Sequence, residues 1–395
     1  MPRMTADNAR PYCIGLDAHL LSLTQSYRAA GINGYIFELL NRLPDYAAGQ
    51  PPLEFVAYLR EPAFHAPCGL RVERSRWDTS NPWRRIAWEQ SVLAAASRKL
   101  DLLHGMAFAT PVAAACPTVV TVHDLSFLRF PEAFRRANRA YLSAFTKLSV
   151  RQATRVIVGA ESTRRDVIEL AGARPERVVT VPYGVTDAFA PAPAEAAAEF
   201  RRRKGLPEQF ILFLGTLEPR KNIGRLIEAY ALLRERELPN RAPKLVIAGG
   251  KGWFYENLFA RVTALGLGED VLFTGYVSSD ELVWWYRAAL MFVFPSRFEG
   301  FGLPVLEALA CGAPTITSNV SSLPEVAGDA ALLVNPEDTE GLVSAMMRLL
   351  HEPELRAALS QAGPQQAKQF PWSRTAAETA AVYRDALNAS PGRGR

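Results

Sequence analysis

Two glutamates, Glu299 and Glu307, stand eight positions apart in the string Phe-Glu-Gly-Phe-Gly-Leu-Pro-Val-Leu-Glu. The apolar run Ala288–Ser296 before them predicts a buried parallel strand. Pro304 is placed to open the helix that follows, since proline there loses no hydrogen bond the helix needs. The first carboxylate then falls on a strand-to-helix loop and the second about one turn into the helix. The Gly-Phe-Gly stretch between them can bring backbone amides close to a ligand. A helix N-terminus draws anions through its free amides and its dipole. Acids in that turn would repel a phosphate, so a carboxylate on either side points to hydroxyl-rich groups flanking an anionic middle. A sugar nucleotide carries its charge in that layout, and the pair reads better as two clamps than as a general acid and base.

Positive charge for the anionic middle is available nearby in sequence order. The strand candidate Phe210–Leu214 runs into Gly215-Thr-Leu-Glu-Pro-Arg-Lys-Asn222, and Ile223–Arg234 continues with apolar residues at helical spacing. Arg220 offers a planar fork and Lys221 a mobile point charge, together a diphosphate cradle. Two adjacent basic residues are more often simply solvated. Their place after the first strand of a Rossmann-like lobe favours phosphate. In the first half, Ala30-Gly31-Ile32-Asn33-Gly34-Tyr35 precedes a helical run over Ile36–Arg42. Gly31 permits close approach to a phosphate or simply makes a turn. The stretch is not a G-x-G-x-x-G, which argues against a nicotinamide or flavin.

Thr121-Val-His123-Asp124-Leu closes another apolar strand, which places His123 at a carboxyl end facing a cleft rather than within a core. Neighbours on a strand point opposite ways, so His123 and Asp124 make no dyad. Glu161, at a corresponding strand end, suits a sugar hydroxyl or a helix cap with Ser162 and Thr163 equally well. No D-x-D triplet, His/Cys ligand cluster, G-x-S-x-G or P-loop occurs, so hydrolase and kinase chemistry have no support and neither metal nor cofactor is expected.

At 395 residues, 49% hydrophobic and 22% charged, the chain has the length of two ordinary globular domains. No stretch is long and apolar enough to span a bilayer, and Arg3, Asp7 and Arg10 do not suit a signal peptide; the expected location is cytoplasmic. Cys13, Cys68, Cys116 and Cys311 form no CxxC pair and read as reduced, buried thiols. The net charge of +5 is uneven. Residues 133–151 carry Arg135, Arg136, Arg139, Lys147 and Arg151 with no acid, while Phe134, Tyr141, Leu142, Phe145 and Leu148 supply an apolar stripe. That helix suits either packing on its own domain or contact with the inner face of a membrane. Arg201–Lys204 reads as a solvated helix end, and no nucleic-acid motif accompanies it.

Val-, Ile- and Leu-rich runs alternate with helical segments, the pattern of parallel α/β construction. The strand candidates are Tyr12–Leu16, Leu53–Leu59, Leu100–His104, Thr118–Val122, Val156–Val158 and Val178–Val181, then, after a linker with Pro191 and Pro193, Phe210–Leu214, Lys244–Ala248, Val271–Thr274, Leu290–Phe294, Pro314–Thr317 and Ala331–Val334. The expected architecture is two facing doubly wound lobes with the ligand in the cleft between them. Expected boundaries are 1–190 and 191–370, and the segment after Phe370, capped by Ser373, forms a terminal helix. The stretch Arg71–Arg85 is expected as an acceptor-side loop.

Taken together, Glu-x7-Glu with its Gly-Phe-Gly-Leu-Pro interior, Arg-Lys-Asn, and Thr-Val-His-Asp-Leu-Ser-Phe running to Phe130-Pro131-Glu132 resemble the retaining GT-B glycosyltransferases of family 4, most of all its bacterial polysaccharide mannosyltransferases. The resemblance covers nearly the whole chain. It implies that Arg220 and Lys221 hold the donor diphosphate and that Glu299 bonds hydroxyls of the transferred sugar. It further implies that Phe301, Gly302 and Leu303 offer amides and that Glu307 bonds the ribose. Tyr276 and Val277, in the turn after Gly275, would border the base. Gly31 would approach the phosphates and His123 the reacting sugar. The family's front-face, ion-pair-like displacement uses no protein nucleophile, and its C-terminal helix crosses back to the first lobe, here 371–390. The chain departs from the family's usual pattern at Asn33-Gly34, at Ala160-Glu161 in place of Ser-Glu, and at Tyr183-Gly-Val-Thr186. The implied activity is metal-independent transfer, with GDP-mannose the favoured donor and a glycan or lipid-linked acceptor. The rivals are a sugar-nucleotide 2-epimerase and a sugar-nucleotide-binding protein without turnover.

Overall fold

A computed structural model describes residues 10–23, 31–79, 81–131, 134, 136–237, 242–250 and 256–390. Arg3, Asp7, Ala30, Glu132 and Arg135, named above, lie outside these, as does residue 133.

Seven strands build the first sheet: β1 (Tyr12–Asp17), β2 (Leu53–Leu59), β3 (Leu70–Arg74), β4 (Leu102–Gly105), β5 (Thr118–Val122), β6 (Arg155–Val158) and β7 (Val178–Thr180). Six build the second: β8 (Phe210–Leu214), β9 (Lys244–Ala248), β10 (Val271–Gly275), β11 (Met291–Phe294), β12 (Thr315–Ser318) and β13 (Ala331–Val334). The spatial orders are β3-β2-β1-β4-β5-β6-β7 and β10-β9-β8-β11-β12-β13. Every pairing is parallel, as in β1 with β4 and β8 with β11. Each sheet therefore reverses its winding once, between β1 and β4 and between β8 and β11. Outside the carboxyl ends of those strands the flanking loops part and leave a crevice. These are the two Rossmann-like lobes that the alternation predicts, in the GT-B arrangement that the family resemblance implies.

The central strands are continuous apolar runs because helices cover both faces of a parallel sheet. Phe-Ile-Leu-Phe-Leu of β8 is buried throughout. β3 is the strand the sequence does not announce. Leu-Arg-Val-Glu-Arg buries only its first residue fully, and it lies on the sheet edge, where one face stays wet. The expected loop 71–85 is thus an edge strand followed by the helix Pro82–Trp88, capped by Asn81.

Other boundaries shift by a few residues. The Gly31 turn opens a helix over Ile32–Arg42, a turn earlier than expected, and the run 288–296 contributes only β11 to the sheet. Leu303, not Pro304, is the first residue of the helix Leu303–Ala310. The basic helix spans Arg136–Gln152; it buries Thr146, Ser149 and Val150 but leaves Leu148 exposed. Arg201–Lys204 form the last turn of the helix Ala194–Lys204. Cys116 and Cys311 are buried, whereas Cys68 is exposed and Cys13 half-buried.

The terminal helix, Trp372–Asn388, follows Pro371, so Ser373 lies inside it and does not cap it. It returns to the first lobe. Arg384 donates to the carbonyls of Tyr46, Ala48 and Pro51, Asp385 pairs with Arg155, and Tyr383 meets His104 at 2.6 Å. No helix among the described residues is long and apolar enough to cross a membrane.

Candidate functional site

The loop after β8 and the loop after β11 meet at the second sheet's reversal. The first makes a single 3-10 turn, Pro219–Lys221, and ends at Asn222, whose φ of 60° puts it in the left-handed region. Asparagine tolerates that conformation, and its amide donates to the Pro336 carbonyl at 2.7 Å, which fixes the turn. The turn aims both basic side chains at the β11 loop. Lys221 Nζ lies 2.6 Å from Glu299 Oε1, and Arg220 Nη1 lies 2.8 Å from Glu299 Oε2. Ser296 donates to Glu299 Oε1 at 2.7 Å, and Glu218 takes the Nε side of Arg220 at 2.8 Å. Lys221 also sits 4.9 Å above the Phe294 ring, a cation–π contact.

Lys221 and Glu299 are each 6% exposed, so these charges operate in a low dielectric. Burial raises the Glu299 carboxyl, but Arg220 and Lys221 outweigh it and hold the group down to about 2. Burial and repulsion from Arg220 lower Lys221, with Glu299 only partly compensating. Burial also opposes the charge of Arg220, which Glu299 and Glu218 raise instead. The cluster is a buried anion holding two cations side by side.

The Gly300–Gly302 loop closes the site from the other side. Gly302 has a φ of 105°, a conformation suited to glycine, and it delivers the chain into the helix Leu303–Ala310. Gly300 abuts the first lobe: a Cβ on it would stand 1.8 Å from the His123 carbonyl oxygen. Phe301 is buried against Tyr183 at 5.0 Å between ring centres. Leu303 stays partly exposed at the helix start.

Glu307 lies in the same helix, partly exposed, and accepts from the Tyr286 hydroxyl at 2.9 Å. Burial pushes its carboxyl up to about 7, and the Tyr286 bond only partly counters this. The folded protein therefore favours protonated Glu307. That contribution is complete below about 4.5 and is lost as pH rises to about 7. Relative to the parent, Glu307→Gln is expected to melt higher at pH 8 than it does at pH 5. Melting curves that run parallel across that range would contradict this.

His123 is placed at the β5 end as expected, but its imidazole is engaged at both nitrogens. Nε2 donates to the Met106 carbonyl at 2.9 Å, and Nδ1 accepts from the Tyr183 hydroxyl at 2.7 Å. Burial drives it down to about 4, so the ring is neutral near pH 7. Both ring nitrogens are thus committed to Tyr183 and Met106. Gly31, with φ 67°, starts the helix Ile32–Arg42 in open surroundings. Tyr276 is exposed and Val277 half-buried after β10, at the sheet's far edge. Glu161 opens the helix Glu161–Ala171, and its carboxylate accepts from Thr180 at 2.5 Å.

The structure also joins three buried groups the sequence reading did not connect. His19 Nδ1 is 2.5 Å from Asp17, and Nε2 is 2.9 Å from Glu89. Burial works against a charged His19, but the two carboxylates overcome it and push the ring up to about 9. An imidazolium thus ties the end of β1 to the turn at Glu89. Asp-x-His at a strand end was the only local signal, because Glu89 lies far away in sequence.

The chain matches the family "Glycosyl transferases group 1" over residues 196–366 and "Glycosyltransferase Family 4" over residues 15–189. It is 34% identical over 268 residues to O-antigen chain mannosyltransferase B of Escherichia coli, spanning 67% of this chain and 70% of that protein. It is also 34% identical over 265 residues to the serotype-specific mannosyltransferase WbdA of E. coli, covering 66% of this chain but only 32% of that protein. Among solved structures, the sucrose-phosphate synthase of Thermosynechococcus elongatus superposes with a TM-score of 0.78 at 22% identity, covering 96% of this chain and all of that one. At that identity the likeness speaks for the fold.

Proposed function

The chain belongs to the GT-B glycosyltransferases of family 4, and on that premise we propose that it transfers mannose from GDP-mannose, with retention, to a glycan or lipid-linked acceptor in polysaccharide synthesis. The observation that carries the reading is the pair of cations, part-buried Arg220 and buried Lys221, gathered by Glu299 beside a helix N-terminus at the sheet's reversal. Desolvated positive charge of this kind suits a diphosphate leaving group. The names of both E. coli relatives favour mannose.

In the proposed step the acceptor oxygen forms its bond to the anomeric carbon on the face from which the diphosphate leaves. The acceptor's proton passes to the departing phosphate oxygen. Arg220 and Lys221 take up the charge that develops on that oxygen, and no metal ion is assigned a part. Glu299 orients the sugar hydroxyls while keeping the two cations in register. We assign Phe301, Gly302 and Leu303 to backbone contacts, Glu307 to the ribose, Tyr276 and Val277 to the base, and Gly31 to the phosphates. His123, whose carbonyl abuts Gly300, is assigned to the reacting sugar. Residues 1–190 would form the acceptor lobe, 191–370 the donor lobe, and 371–390 the returning helix. The basic helix Arg136–Gln152 would bring the acceptor lobe to an anionic membrane face.

A thermal-shift panel of GDP-, UDP- and ADP-sugars tests the donor. Occupancy at 100-fold over Kd adds about 2.7 kcal/mol, so GDP-mannose is expected to raise the melting point most, and the product anomer, read by NMR, is expected to be the donor's. A flat panel, or an inverted product, overturns the reading.

A further inference from the structure

We propose that Glu325 is a positioning residue that couples closure of the two lobes to the shape of the Glu299 loop. It does so by capping a helix that belongs to the opposite lobe.

The helix Glu161–Ala171 of the first lobe has no cap of its own. Ala160 precedes it, and its methyl group cannot accept from the free amides. Glu325 supplies the missing acceptor from the second lobe. Its Oε2 receives the Glu161 amide at 2.7 Å and its Oε1 the Ser162 amide at 2.8 Å. One carboxylate fork thus spans two successive amides at the positive end of a helix dipole. Glu325 keeps a solvent-exposed side, so the contact can break without stranding a buried charge.

The same short segment that carries Glu325 also fixes the donor loop. Ser321 Oγ accepts the Glu299 amide at 3.0 Å, and the Ser322 hydroxyl donates to the carbonyls of Glu299 and Phe301 at 2.9 and 2.8 Å. The helix Leu323–Ala327 follows directly. Next to the cap, Thr163 of the first lobe donates to the Gly300 carbonyl at 2.7 Å. Segment 321–325 therefore touches the Glu299 loop through its serines and the opposite lobe through its glutamate. Parting the lobes removes the only side-chain cap that the helix Glu161–Ala171 has among the described residues. Closing them restores it and seats the loop in the same movement.

Three variants separate this role from simple capping: Glu325→Ala, Ala160→Ser, and the two combined. Ala160→Ser gives the helix a local cap. Solution scattering of the ligand-free protein and with GDP added, thermal melting, and the kcat/KM of sugar transfer are read on each. Glu325→Ala is expected to enlarge the radius of gyration and, by depleting the closed state, to lower kcat/KM about ten-fold. The double variant is expected to recover the melting point but neither the compact shape nor the rate. Recovery of shape and rate by Ala160→Ser would make Glu325 a helix cap and nothing more. An unchanged radius in Glu325→Ala would also overturn the proposal. Glu325→Gln, which preserves shape and one acceptor, serves if the alanine variant folds poorly; an unchanged radius there counts equally against it. Only the rate rests on the glycosyl-transfer reading, so scattering decides the closure role even if no donor is turned over.

Discussion

Glu299→Ala is expected to lower sugar transfer about a hundred-fold or more, the scale of losing one preorganised polar contact at a reacting centre. The same change is expected to cost about 3–5 kcal/mol of stability, because it leaves buried Lys221 without its anion and part-buried Arg220 with Glu218 alone. The two effects share one cause. Glu299 Oε1 holds Lys221 and Oε2 holds Arg220, so its removal frees Lys221 and takes from Arg220 one of its two carboxylates. A nucleoside diphosphate brings replacement negative charge to the same place. Added GDP is therefore expected to raise the melting point of the variant more than that of the parent. The pH dependence follows from the depressed carboxyl. Glu299 contributes its stability above about 4.5 and loses it as pH falls toward about 2. Parent and variant are thus expected to converge in acid. Equal responses to GDP, or a stability gap that persists at pH 2, would count against the charge-holding role.

Lys221→Ala is expected to reduce kcat by about 10²–10³-fold with a smaller change in KM, since in the proposed step the charge it answers develops as the diphosphate departs. Stability falls less than in Glu299→Ala, because Glu299 keeps Arg220 and Ser296. Lys221→Arg is not expected to restore the rate. The site is packed around a compact ammonium above Phe294, and a planar fork is a different shape. Steady-state kinetics with the preferred donor check both variants. A Lys221→Ala enzyme with normal kcat and a raised KM would assign the residue to ground-state binding alone.

Much of this site is legible in the sequence because its parts are local. Glu299 and Glu307 are fixed relative to each other by one loop and one helix, and Arg220 and Lys221 by one turn. Their residue types carry the chemistry without knowledge of the rest. The errors fall where surroundings decide. β3 buries one residue of five fully and so lacks an apolar run. The ring partners of His123, Tyr183 and Met106, are likewise not encoded by its neighbours along the chain. The Asp17–His19–Glu89 link joins residues whose pairing no local spacing encodes.

By itself the sequence determined the parallel α/β alternation, the two lobes, and the local placement of Glu299, Arg220 and Lys221 on strand-end loops of the second lobe. Strand and helix periodicities, glycine turns and charge order are properties of neighbours along the chain. The tertiary structure decided which charges meet. Lys221 reaches Glu299 across 78 residues, and Glu325 caps the helix at Glu161 across 164. It also decided the protonation states, because partner charges depress Glu299 against its burial, while burial raises Glu307 and keeps His123 neutral. Those effects depend on distance and dielectric, which exist only once the chain has folded.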